Sequence, residues 1–171
     1  MIPLSSAISG GLTFSKASRS RIHQLKLNND VVGTLLRPNF WSMSYQAETQ
    51  TGTWAFRRAG WLGGRSEILD YSSRQQIAIF KMAWGGRGGK LTFADGQTFQ
   101  LGCKGWWRPL WTVFSEGGEP LLRLHRREKR VELQPATTVP AERLALLILF
   151  AWYQVLQSEE DASAAAVIAA T

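Results

Sequence analysis

From residue 22 to residue 133 the chain is written in short runs that alternate apolar and polar positions, the period of half-buried β-strands. In Ile22 to Asn28, Leu25 and Leu27 fall on one face and Gln24 and Lys26 on the other, and Asn28-Asn29-Asp30 turns the chain into Val31 to Leu36. After Pro38-Asn39, Trp41, Met43, Tyr45 and Ala47 oppose Ser42, Ser44, Gln46 and Glu48, so one face is buried and one wet. Further strands are predicted at Thr53 to Arg57, Ser66 to Tyr71 and Gln76 to Trp84. Leu91 and Phe93 lead into Asp95-Gly96, a two-residue hairpin signal, and Phe99, Leu101 and Cys103 return. Trp111 with Val113, Leu122 with Leu124, and Val131 with Leu133 mark three more, for about eleven strands. Residues 1–20, rich in Ser and Gly, read as a loosely attached extension with one short strand at Leu12 to Phe14.

The pattern then changes period. Thr138 can cap a helix, Pro140 suits its first turn, and Glu142 complements its dipole. Between Leu144 and Tyr153 no charged or amide side chain occurs, so the helix predicted over 140–157 has no stripe to turn toward water. Its apolar run to Leu156 covers roughly 20 Å, short of the roughly 30 Å core of a bilayer, which favours burial inside protein. An antiparallel meander of eleven or twelve strands curls and closes to remove its edges, and a barrel that wide cannot fill its lumen with its own side chains. The expected fold is therefore mainly β: a closed antiparallel barrel of about 11–12 strands enclosing one hydrophobic C-terminal α-helix. The barrel domain spans 21–158, and 159–171 is an acidic, alanine-rich tail, either disordered or a helical extension into water.

Composition narrows the partners. The chain has 171 residues, enough for one domain with a sizeable core, and a net charge of +7. Residues 1–138 hold 19 Lys and Arg against 9 Asp and Glu, whereas residues 139–171 hold 1 against 4. A field of this kind favours an anionic partner, or simply solubility. The single cysteine, Cys103, excludes an internal disulfide. The N-terminus has neither a basic n-region nor an apolar h-region, and the expected location is cytoplasmic or peripheral at a membrane.

Over residues 21–157 the strand order, the hairpin in Lys90-Leu91-Thr92-Phe93-Ala94-Asp95-Gly96 and the helix opening Glu142-Arg143-Leu144-Ala145-Leu146-Leu147-Ile148 resemble the tubby C-terminal-like superfamily. The nearest likeness is to its LURP-one-related and phospholipid-scramblase-like barrels. That resemblance implies a barrel around a hydrophobic C-terminal helix, association with membranes or phosphoinositides as in tubby proteins, and calcium-linked lipid movement as in scramblases. Calcium-linked activity is not expected here, because the chain has no acidic run near the helix start and no cysteine cluster for acylation.

No catalytic motif stands out, and a non-enzymatic protein without cofactor or metal is expected. Trp84-Gly85-Gly86-Arg87-Gly88-Gly89-Lys90-Leu91 departs from a phosphate-binding loop at both ends and is followed by a strand, so a glycine-rich hairpin is preferred. His23 and His125 lack a third ligand at motif spacing. Glu67 and Asp70 would point to opposite faces of a strand, which suits surface or rim groups better than shared acid–base work. The candidate anion-binding residues are Arg57, Arg58 and Arg65; Lys104 and Arg108; and Arg126, Arg127, Lys129 and Arg130. Trp61, Trp106 and Trp107 lie among them, more as core residues than as lipid anchors. The expected partner is an anionic membrane surface or phosphoinositide-like headgroup, or an acidic protein. A nucleic-acid-binding module ranks behind these for want of a recognition platform, as does a tail-anchored membrane protein using 144–156, which Glu159-Glu160-Asp161 would interrupt.

Overall fold

A computed structural model describes residues 11–17, 21–39, 42, 44–59, 64–84, 87–105, 109–134 and 139–169. Twelve antiparallel strands form a closed meander: β1 (Leu12–Lys16), β2 (Ile22–Leu27), β3 (Asp30–Leu36), β4 (Ser44–Thr49), β5 (Thr53–Ala59) and β6 (Arg65–Asp70), then β7 (Gln76–Met82), β8 (Gly88–Phe93), β9 (Thr98–Lys104), β10 (Leu110–Phe114), β11 (Pro120–His125) and β12 (Arg130–Leu133). Each strand pairs with its neighbours in sequence, and β1 closes the ring against β12 with Leu12 opposite Val131. The single helix, α1 (Ala141–Ala169), is buried at every position from Leu144 to Gln157. That fourteen-residue stretch is roughly 21 Å of helix, about the height of a six-residue strand. The lumen is packed around it with aromatic rings: Phe150 meets Phe56 and Phe80 edge-on at 5.4 and 5.5 Å, Tyr153 meets Tyr45 at 5.3 Å, and Trp152 stacks on Phe14 at 4.3 Å. Beside Ala151 the packing leaves a gap of about 10 Å³, no room for a ligand.

Two expectations about the ends of the chain are met in a fuller form. The short strand read at Leu12 to Phe14 is present as β1, which runs on to Lys16, with Leu12 and Phe14 in the core and Phe14 against the helix. Of the two alternatives for the acidic, alanine-rich stretch, the helical extension is the one found: α1 runs past residue 157 to Ala169. Alanine-rich sequence propagates a helix already nucleated inside the barrel.

The hairpins have their own logic. Gly96 and Gly118 adopt positive φ (89° and 84°) and donate their N–H to the carbonyls of Phe93 and Ser115, three residues back. The Asp95-Gly96 signal thus makes a longer turn than a two-residue one, a type I turn followed by a left-handed residue. Gly88 and Gly89 lie in β8 rather than in a phosphate loop, and a Cβ on either would collide with the carbonyls of Leu101 or Lys81. Trp41, Met43, Trp61, Trp106, Trp107 and Arg108 lie outside the described residues.

Candidate anion-binding rim

A meander sends successive turns to alternate ends of the barrel, and the chain uses this to separate charge. At the lower rim, where α1 enters, the turns and strand ends carry Asp30, Glu48, Asp70, Asp95, Glu116 and Glu119. Asp95 accepts from Arg143 at 2.8 Å, and Asp70 accepts from the Ser73 N–H at 2.7 Å; these bonds hold both carboxyls below the usual carboxylate range. At the upper rim, where α1 leaves, the turns carry Lys16 and Arg21 around β1–β2, Arg37 after β3, and Arg87 before β8. Arg126, Arg127 and Lys129 sit there too, between β11 and β12. Acids thus predominate around the helix's positive end, with Arg74 of the β6–β7 turn as an exception, and bases toward its negative end, with Glu128 of the β11–β12 turn as an exception, the arrangement the macrodipole favours.

The upper rim does not leave all its arginines to solvent. As α1 emerges, three successive carboxylates reach three different parts of the ring, the β11–β12 turn, the end of β3 and β5. Glu159 accepts from Arg126 Nε at 2.6 Å, Glu160 accepts from Arg37 Nη1 at 2.7 Å and from the Tyr45 hydroxyl at 2.9 Å, and Asp161 takes two bonds from Arg58 at 2.8 and 2.6 Å. A helix turns 100° per residue, so a run of three acids covers some 200° of the rim, and only a helix on the barrel axis could use all three at once. Burial and the bond to Glu160 push the Tyr45 phenol well above its ordinary value.

The clusters read from sequence are therefore divided. Arg58 turns to the helix, while Arg57 and Arg65 lie on the outer wall and share the buried Glu67, at 2.8 and 3.0 Å. Glu67 is a structural anion there, and Asp70 caps its own turn through Ser72 and Ser73. Arg130 stands 4.0 Å from Glu132, which is 3.2 Å from His125. Of the nine candidates, Lys104, Arg127 and Lys129 have no carboxylate within ion-pair distance among the described residues, and Arg108 is outside them.

What sequence reasoning missed is a cleft of about 860 Å³ between the emerging helix and β1, β2, β3 and the β11–β12 turn. Its floor is Phe14, Trp152 and Leu156; its walls bring together Lys16, Arg21, His23, Arg37, Arg126 and Lys129, with Glu159 and Glu160 at one side. Among the described residues Lys16 and Arg21 have no carboxylate at ion-pair distance. His23 lies directly opposite Lys16 across β1–β2, and the Trp152 indole N–H approaches its Nδ1 at 3.5 Å. Burial first, then the charges of Lys16 and Lys129, hold the His23 imidazole below its usual value despite Glu159, so it is neutral at pH 7. The signal was available only as scattered single residues, since Lys16, His23, Arg37 and Lys129 meet through barrel closure.

The β11–β12 turn carries a further mark. Lys129 donates its N–H to Arg126 three residues back, as Gly96 and Gly118 do in theirs, and adopts φ 52°. A lysine thus occupies the left-handed position that two other hairpins give to glycine, at a cost of roughly 1–2 kcal/mol. No family model, curated protein or solved structure matches this chain. Among the described residues no helix is long and apolar enough to cross a membrane.

Proposed function

We propose that this protein is a non-enzymatic barrel of the tubby C-terminal-like kind that binds anionic lipid headgroups at its basic upper rim. The observation that carries the reading is the axial separation of charge. After Glu159, Glu160 and Asp161 have taken Arg126, Arg37 and Arg58, the rim still presents Lys16, Arg21, Lys104, Arg127 and Lys129 on one end of the molecule. Each basic side chain close to an anionic leaflet contributes about 1 kcal/mol, so several acting together give weak, salt-sensitive binding that needs no calcium. The packed lumen supports a binding surface over a carrier or a lumenal enzyme. Family membership rests on the meander and its central helix alone.

Vesicle sedimentation tests the reading. Anionic vesicles should take the protein down at low salt without calcium and release it near 1 M salt, where the Debye length falls to about 3 Å. Retention at high salt would indicate hydrophobic insertion instead. If the protein ignores the vesicles but is captured by an acidic polypeptide, the rim serves a protein partner; if it shifts nucleic acid, that rival takes its place.

A further inference from the structure

We infer that the upper-rim cleft is a binding site for a phosphomonoester, with Lys16, Arg21 and Lys129 as its donors. This rests on the anion-binding reading above and narrows it from a charged surface to one built site. The charge balance selects the ligand. Five cations line the cleft (Lys16, Arg21, Arg37, Arg126, Lys129) against Glu159 and Glu160, and His23 is neutral, which leaves three positive charges in excess. A monoester phosphate carries nearly two negative charges at pH 7 and three terminal oxygens that accept strong hydrogen bonds. A phosphodiester or a carboxylate carries one charge and would leave the site strongly cationic.

The three donors come from three segments, the end of β1, the start of β2 and the β11–β12 turn, a spread that matches three terminal oxygens and not a flat carboxylate. At about 860 Å³ the cleft exceeds what a phosphate group needs, so the ester's organic part, a glycerol or a sugar, fits beside Trp152 and Leu156. Lys129 is the most telling residue. The turn would relax with glycine, as at Gly96 and Gly118, yet it holds a lysine at φ 52°, and the ammonium this keeps in place lines the cleft. Glu159 and Glu160 act as internal anions that hold Arg126 and Arg37 away from the ligand and limit its affinity.

The phosphate can come from a lipid, such as phosphatidate, or from a soluble ester, and the experiment separates them. Glycerol 3-phosphate is titrated into the full chain while both histidines are followed by NMR. A dianion beside His23 should raise its pKa. Lys129→Gly should lower glycerol 3-phosphate affinity about tenfold while leaving the melting temperature unchanged or higher, so that lost binding cannot be ascribed to unfolding. Lys16→Gln should weaken it several-fold, Lys90→Gln on the barrel wall should not, and Glu159→Gln should strengthen it several-fold.

In parallel, vesicles containing phosphatidate and vesicles containing phosphatidylglycerol are compared at matched surface charge. Preference for phosphatidate that disappears in Lys129→Gly supports the cleft as a lipid site. Glycerol 3-phosphate binding without vesicle binding supports it as a site for soluble esters and overturns the membrane reading. Equal binding to both vesicles with no response at His23 overturns the cleft while the rim survives. A phosphatidate preference untouched by Lys129→Gly also overturns it, by placing the site elsewhere.

Discussion

The two halves of α1 are continuous in backbone and opposite in role. From Leu144 to Gln157 every residue is buried, and as far as Tyr153 the barrel is wrapped on a cylinder with no charged or amide side chain. From Ser158 onward the same helix leaves the lumen, and its first three acids fasten Arg126, Arg37 and Arg58. The first half gains its energy from dehydration and close packing, which are large and insensitive to partners. The second half gains it from half-exposed ion pairs that water, salt and ligand anions all contest. Stability belongs to the first; the second decides how much positive charge the rim shows.

The contrast breaks most severely in the buried half. Leu147→Ala or Ile148→Ala should destabilise the fold by about 2–5 kcal/mol, since each fully enclosed side chain would leave a cavity that a closed barrel cannot collapse. Lysine at either position should prevent folding, because the lumen offers an ammonium neither water nor a carboxylate. Denaturant unfolding measures the first, and yield of soluble, cooperatively melting protein the second. Alanine variants that melt with wild type would place the helix outside the barrel.

The triple change Glu159→Gln, Glu160→Gln, Asp161→Asn should cost far less, about 1–2 kcal/mol, because half-exposed pairs contribute about 0.2–1 kcal/mol each. It should also raise affinity for anionic vesicles by freeing three arginines, and the difference should vanish at high salt. Loss of stability comparable to Leu147→Ala would mean that the clamp, rather than the core, holds the helix in.

Legibility followed the same division. The fold could be read because its causes are local or periodic: alternation in β4, turn residues at Asp95-Gly96, and a helix with no polar face at Leu144 to Tyr153. A central helix followed from the need to fill a wide barrel. The short strand at Leu12 to Phe14 was legible too, but not its part in closing the ring, which depends on pairing with Val131 at the other end of the meander. The rim was half visible. Clusters adjacent in sequence were found, yet Arg57 and Arg58 point to opposite faces of β5 and serve different acids. The cleft draws on residues from Phe14 to Ser163, and no local pattern announces which charges closure will bring together.

The pH dependence should be smaller again. His23 has a folded pKa below its ordinary 6.5, so the unfolded chain binds a proton more readily than the folded one. The stability this neutral imidazole supplies is fully present above the unfolded value and is lost as pH falls through 6.5 toward the folded value. Melting temperature should therefore drop between pH 7.5 and 5.5, and His23→Gln should flatten part of that drop. An unchanged slope in His23→Gln would assign the dependence to other groups.

The smallest effect is expected at the far end of the helix. Residues 161–168 are exposed, Val167 and Ile168 at 67% and 76%, so little apolar surface is withdrawn from water there. Alanine sustains a helix at almost no side-chain entropy cost, which favours helix in this segment whatever packs on it. Deleting 162–171 keeps Glu159, Glu160 and Asp161 and therefore the whole rim clamp. It removes the bond from the Ser163 hydroxyl to the Glu159 carbonyl at 2.8 Å and brings the negative end of the helix dipole closer to the arginines. The melting temperature should move by no more than a degree or two, and vesicle binding should weaken slightly, because the relocated dipole end competes for the same cations. A larger fall in melting temperature would show that the emerged half packs on the rim as the buried half packs in the lumen, and the division between the two would disappear.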